Sequence, residues 1–241
     1  MDKAELKLRE SIINACRSMN GLGINQGTSG NISARYGKLM LITPSGVPYE
    51  ELKAKDLVTT PISGKGDKWS GALAPSSEWR FHLRILQERP EVGSVVHTHS
   101  TYATTLAICN KPIPAIHYMV AAAGGPDIRV APYATYGTEE LSDLALKAME
   151  GRTCCLLRNH GVIATGANLK RALWLAVEIE TLARQYYLSL AIGGAQILPD
   201  DEIVRVVEKF KNYGPQAKPT ALKKAAAISK PAAKKTAQRK R

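Results

Sequence analysis

No run of apolar residues in this 241-residue chain approaches the ~20 needed to cross a bilayer. The opening MDKAELKLRE has no apolar stretch behind a basic head, so it does not read as a secretion signal, and a cytoplasmic protein is the expectation. Cysteine is scarce: there are four, and none forms a CxxC pair. Cys154 and Cys155 are adjacent inside an apolar run, and they are expected, with Cys16 and Cys109, to be reduced thiols, in keeping with that compartment. Neither GxxxxGK[ST] nor GxGxxG after a strand occurs, which argues against the common nucleotide-binding loops. No repeat of fixed period is present.

Acid is also missing from one whole segment. Between Pro215 and Arg241 there are nine Lys and Arg and no Asp or Glu, so nine of the twelve net positive charges sit there and +3 remains for the rest. This segment is rich in Lys, Ala and Pro and has no core pattern, so residues 215–241 are expected to be a disordered tail. Such a charge run can neutralise nucleic-acid phosphates, but it has no aromatic residue to stack on bases. The solubilising reading is therefore favoured over nucleic-acid binding. Residues 1–214 are long enough for one domain with a real core, and an overall apolar share of 44% is that of a globular protein.

In AELKLRESIINACRSMN, Leu8, Ile12, Ala15, Cys16 and Met19 share one helical face, and Gly21 and Gly23 end the helix. NISARYGKLMLI reads as a hairpin turned at Gly37. A second helix follows PSSE, capped by Ser76 or Ser77, with Trp79, His82, Leu83 and Leu86 on one stripe and Pro90 at its end. VGSVVHTHS is a short strand leading into a helix over Tyr102 to Cys109. TCCLLRNHGVIATG is a second hairpin with a polar tip at Asn159-His160-Gly161. SDLALKAM, the long segment from Asn168 to Ile192, and DEIVRVVEKFK are helical. Strands alternate with helices, so the class is α/β.

His97 and His99 are two residues apart on a strand, and the two-residue period aims both at one face. Two neutral imidazoles so placed can chelate a divalent cation; zinc sites that catalyse take three protein ligands, and His160 at a hairpin tip fits as the third. An isolated HxH is a weak signal, and a lone His160 is more often a turn residue. His82 reads as a packing residue on its stripe, and His117 as a satisfied, partly buried histidine. Glu78 has two readings: a carboxylate complementing a helix N-terminus, or a general base beside the metal. NQGTSGNIS, TPSG and PSSE offer small residues, hydroxyls and backbone N–H groups, which together suit a phosphate, although each alone is an ordinary turn.

GTSGNIS, TPSG, PSSEWRFH, VVHTHS, IPAIHYMVAAAGG, APYATYGT and NHGVIATG occur in the order seen in the class II aldolase/adducin family, and the resemblance runs from about Ala4 to Gly214. It implies a three-layer αβα domain around a central mixed or antiparallel sheet, assembled as a four-fold homotetramer with sites at subunit interfaces. It implies one Zn²⁺ per subunit on His97, His99 and His160, with Glu78 catalytic and able to approach the metal. The substrate phosphate would meet Ser29, Gly30, Asn31, Ser45, Gly46, Ser76 and Ser77. Tyr118 would donate a proton across a subunit interface, and Tyr213 would close over the site. Tyr136, near the aldehyde pocket, and Asn159, beside a ligand, depart from the family's usual Phe and His and bear on substrate fit. The implied reaction is reversible cleavage of a small phosphorylated sugar, L-fuculose 1-phosphate or a related ketose 1-phosphate, to dihydroxyacetone phosphate and an aldehyde such as L-lactaldehyde. The family also holds 5-methylthioribulose- and 5-deoxyribulose-1-phosphate aldolases, 4-epimerases and non-catalytic adducin-like scaffolds; retention of His97, His99, His160 and Glu78 counts against the scaffold.

Overall fold

The computed structural model describes residues 1–210; Tyr213 and the expected tail at 215–241 lie outside the described residues. In chain order the elements are α1 (Lys3–Gly21), β1 (Asn31–Tyr36), β2 (Leu39–Ile42), β3 (Val58–Pro61), α2 (Trp79–Glu88), β4 (Ser94–Thr98), α3 (Thr101–Ile108), β5 (Val130–Ala131), α4 (Glu139–Ala148), β6 (Cys154–Leu157), β7 (Gly161–Gly166), α5 (Leu169–Leu190) and α6 (Asp200–Phe210). The strands form one sheet in the order β3-β2-β1-β4-β7-β6-β5. Every neighbouring pair is antiparallel except β5 and β6, so the sheet is mixed.

The two-residue period of the strands divides their side chains between two cores. Ile32, Ala34, Val96, Cys154, Leu156 and Val162 face one core, which is completed by Ile12, Cys16 and Met19 of α1, Ala103 and Leu106 of α3, and Leu175, Ile179 and Leu182 of α5. Val95, Cys155, Leu157 and Ile163 face the other, against Phe81, Ile85 and Leu86 of α2 and Leu141 and Ala145 of α4. The result is helices, sheet, helices: the αβα architecture. A smaller cluster joins Ile203 and Val206 of α6 to Ala115 and Ala121 around the 3-10 turn Tyr118–Ala123.

The helical stripes and both hairpins stand where periodicity placed them. Gly37 turns the first hairpin with φ +57°. Two short strands, β3 and β5, escaped the pattern; both are sheet edges, and the Val-Thr-Thr-Pro of β3 has no apolar alternation to betray it. The expected serine cap on α2 needs correction. The residue at the cap position is Glu78, and no side chain caps the helix; Ser76 Oγ instead accepts the Glu78 backbone N–H at 3.3 Å.

Glu180, an acid among the apolar residues of α5, has a defined task. Its two carboxylate oxygens accept the N–H groups of Tyr102 (2.8 Å) and Ala103 (2.9 Å), the first turn of α3. Ser100, at the cap position, makes no such bond with its own side chain. A carboxylate from the neighbouring helix thus satisfies orphan donors that the local sequence leaves open. Glu180→Ala should lower the unfolding free energy by about 1–2 kcal/mol, the range for losing a helix cap, measured by urea denaturation. An unchanged midpoint would remove Glu180 from this role.

Candidate metal centre and its cleft

His97 lies near the end of β4, the strand at the middle of the sheet, where it pairs with Asn31 of β1 and Ile163 of β7. His99 follows just past the strand end. His160 comes from the turn between β6 and β7, where Asn159 takes the left-handed conformation (φ +54°) and the His160 N–H donates to Leu157 O at 3.0 Å. Close backbone packing brings these pieces together. A Cβ on Gly161 would stand 2.5 Å from Thr98 O and 2.8 Å from His99 Cδ2, and one on Gly30 would stand 2.7 Å from His97 O. Only glycine permits these approaches without a shift.

The three rings converge, with centroids 4.8, 4.9 and 5.1 Å apart. Glu78 joins them from the start of α2: its Oε2 is 3.1 Å from His97 Nε2 and its Oε1 is 2.9 Å from His160 Nε2. Oε1 is buried, with His160 as its neighbour. His97 Nε2 and His99 Nε2 are 3.0 Å apart, and one ligand atom from each of the four residues lies within 4.8 Å of the others. Between the two readings of Glu78, its side chain takes the second direction: it makes no capping bond and turns to the histidines.

The proton inventory shows what this cluster is suited to hold. Val162 O can only accept, so His97 Nδ1, 2.8 Å away, carries hydrogen. In neutral His97 the Nε2 lone pair then points at an anionic carboxylate and at another ring nitrogen. Converging lone pairs repel one another unless a proton or a cation stands between them. An imidazole whose other nitrogen donates to a backbone carbonyl is how metal-binding histidines are normally oriented. Three imidazole nitrogens and a carboxylate oxygen fit a divalent cation such as zinc. Burial pushes the Glu78 carboxyl up, but His97 and His160 outweigh it and hold it below the usual carboxylate range. Burial, reinforced by His97 and His160, pushes His99 down to about 4, which keeps its ring neutral and able to ligate at neutral pH.

Glu78, His99 and His160 line a cleft of about 410 Å³, while His97 is fully buried. Thr28, Ser29, Ser45, Gly46 and Ser77 line it too, as do Tyr133, Tyr136 and Asn159. Gly30 and Ser76 are buried, and Gly30 O accepts from the Tyr49 hydroxyl at 2.6 Å. Asn31 turns its amide inward, donating to Glu78 Oε2 at 2.9 Å. Tyr118 does not line this cleft; it is half exposed, with its ring 4.6 Å from that of His117. His117 is satisfied locally, its Nδ1 accepting from Met119 N at 3.1 Å. Thr28 and Tyr133 went unnoticed in the sequence; the APYATYGT stretch holding both tyrosines was the available signal for Tyr133. A second cleft of about 470 Å³ lies along α2 and α4, lined by charged residues such as Lys65, Arg80 and Asp143, away from the histidine cluster.

His82 is more than packing. It is fully buried, with Nδ1 2.8 Å from Ser33 Oγ and Nε2 2.5 Å from Asn31 Oδ1. Burial, aided by His97, pushes it down to about 3.

Residues 10–187 match the family described as Class II Aldolase and Adducin N-terminal domain. A 5-methylthioribulose-1-phosphate/5-deoxyribulose-1-phosphate aldolase of Rhodospirillum rubrum is 54% identical over 217 residues, 90% of this chain and 97% of that protein. An L-fuculose phosphate aldolase of Escherichia coli K12 is 52% identical over 209 residues, 86% of this chain and 96% of that protein. A solved structure of an L-fuculose 1-phosphate aldolase superposes with a TM-score of 0.81 at 42% identity, covering 85% of this chain and 96% of its own.

Two predictions follow from the geometry. Gly161→Ala should weaken divalent-cation affinity at least ~10-fold, the scale on which mispositioned ligands are felt, in competition with a chromophoric chelator; undiminished affinity would show that the close approach is dispensable. Between pH 6.5 and about 3 the unfolded chain protonates His82 while the native chain refuses the proton. Stability should therefore fall as pH drops through that window, by at most about 1.4 kcal/mol per unit from this group. His82→Gln should flatten the slope in denaturation measured across pH, and an equal slope would refute the assignment.

Proposed function

The chain belongs to the class II aldolase and adducin family and is an aldolase, a lyase acting on a small phosphorylated sugar, and from that premise we propose that it uses zinc to cleave a ketose 1-phosphate between C3 and C4. The observation that carries the reading is the convergence of His97, His99, His160 and Glu78 beside a cleft lined by serine and threonine residues and two tyrosines. The products are dihydroxyacetone phosphate and a short aldehyde, L-lactaldehyde when the substrate is L-fuculose 1-phosphate.

His97, His99 and His160 would hold the metal, with Glu78 beside it. When bound, the cation supplies Lewis acidity for the negative charge that develops on the sugar's C2 and C3 oxygens. The phosphate is assigned to Ser29, Ser45, Gly46 and Ser77, which line the cleft, with Gly30, Asn31 and Ser76 buried next to them in the chain. Holding the phosphate there spends remote binding energy on aligning the reacting carbons. Cleavage requires the C4 hydroxyl to lose its proton and the C3–C4 electron pair to pass to C3, which then takes a proton. Glu78 manages the proton at C3. Tyr118 is half exposed and does not line its own cleft, which suits a group that takes the C4 hydroxyl proton in cleavage, and returns it in the reverse direction, at a neighbouring subunit's site in a homotetramer.

A second substrate has its own support. The Rhodospirillum rubrum relative acts on 5-methylthioribulose 1-phosphate, and the Tyr133–Tyr136 wall offers ring faces and edges to a thioether. Product identification on L-fuculose 1-phosphate and 5-methylthioribulose 1-phosphate side by side decides between them, and cleavage of neither would end the ketose 1-phosphate assignment. Glu78→Gln should keep its metal and lose ~10²-fold or more in kcat; a near-normal rate would take Glu78 out of the proton path.

A further inference from the structure

Behind the metal cluster runs a chain of four buried polar side chains: Ser33, His82, Asn31 and Glu78. Asn31 and Ser33 are two residues apart on β1 and so share a face; Glu78 and His82 are four apart at the start of α2. The helix and the strand thus meet through hydrogen bonds at 2.8, 2.5 and 2.9 Å.

The direction of every hydrogen in this chain is determined. An ionised Glu78 can only accept, so Asn31 presents its NH₂ to Oε2. Its Oδ1 is then the atom facing His82, and an amide oxygen only accepts, so His82 Nε2 carries hydrogen. A neutral ring with hydrogen on Nε2 has a bare Nδ1, which takes the Ser33 hydroxyl hydrogen. Reverse any one member and two acceptors face each other in a buried site, at the full cost of an unmet polar group.

We propose that His82 is a positioning residue: through the amide of Asn31 it fixes Oε2 of Glu78, and so fixes the rotamer in which the carboxylate stands beside the histidines. An Asn amide alone can present either its oxygen or its NH₂ to a neighbour, and the two ends have similar shape. The charge on Glu78 selects the NH₂ end, and His82 holds the amide in that orientation, its Nε2–H donating to Oδ1. With Oε2 held by Asn31, Oε1 is the oxygen turned to His160 Nε2, 2.9 Å away. The consequence is a carboxylate presented in one rotamer before substrate arrives, which lowers the reorganisation needed in the proton step.

This inference rests on the aldolase reading for its kinetic consequence, but its geometry can be tested without substrate. ¹⁵N-histidine NMR on the full-length, metal-free protein at neutral pH should show His82 as the Nε2–H tautomer, and the Asn31 NH₂ protons should be resolved and slow to exchange. His82→Phe keeps a flat ring beside Phe81, whose centroid is 4.6 Å away, but supplies no donor. In that variant the Asn31 signals should exchange fast, and kcat should fall about tenfold or more with KM and metal content unchanged. His82→Gln, which restores an N–H donor, should recover kcat to within about threefold and restore slow Asn31 exchange. A merely structural role would lower stability in both variants without separating kcat from KM and without rescue by Gln. An Nδ1–H or doubly protonated His82, unaltered Asn31 exchange in His82→Phe, or equal kcat in all three proteins would overturn the proposal. If the wild type cleaves no ketose phosphate while the tautomer and exchange results stand, the substrate assignment fails and the positioning role survives.

Discussion

The molecule is organised around a point where several electron pairs are made to meet. His97 donates through Nδ1 to Val162 O, and its Nε2 faces Glu78 and His99. The surrounding fold holds the groups in place: β4 is pinned on both sides by β1 and β7, and glycine at 30 and 161 lets neighbouring backbone approach it. A sheet interior is among the stiffest places a protein has, and it is there that the four side chains converge into a group that could hold a divalent cation.

The remaining parts of the site follow from the layers around that sheet. α2 brings Glu78 to the cluster from one side, while α3, anchored by Glu180 of α5, leaves directly after His99 on the other. The cleft is lined by loops from several elements, which bring serine and threonine residues and two tyrosines beside the cluster.

Much of this was legible before any coordinates. The HxH spacing needs only the period of a strand, and His160 was marked by its place at a polar turn between two apolar runs. The helical stripes and the two cores are the same pattern read twice. What stayed hidden has physical causes. β3 and β5 are edge strands too short to alternate. Glu78 looked like a cap because a carboxylate at a helix start usually serves the helix; only the positions of His97 and His160, distant in sequence, show otherwise. His82 sits on an apolar stripe and has the right period for packing, so its partners on β1 could not be foreseen. Glu180 is the same case, a charged residue whose purpose lies on another helix.

Adjacent Cys154 and Cys155 face opposite cores, one on each side of the sheet. Burial pushes the Cys16 and Cys154 thiols up to about 12, and Cys155 higher still, so none of the three forms the reactive thiolate in the folded chain. Cys109 lies on the surface of the described residues. The native protein therefore offers one sulfur to an alkylating reagent, and the other three become available only as each helical layer peels from the sheet. Cys155 reports on the layer of α2 and α4, and Cys16 and Cys154 on the layer of α1, α3 and α5, so thiol labelling resolves the order in which the two sides come apart.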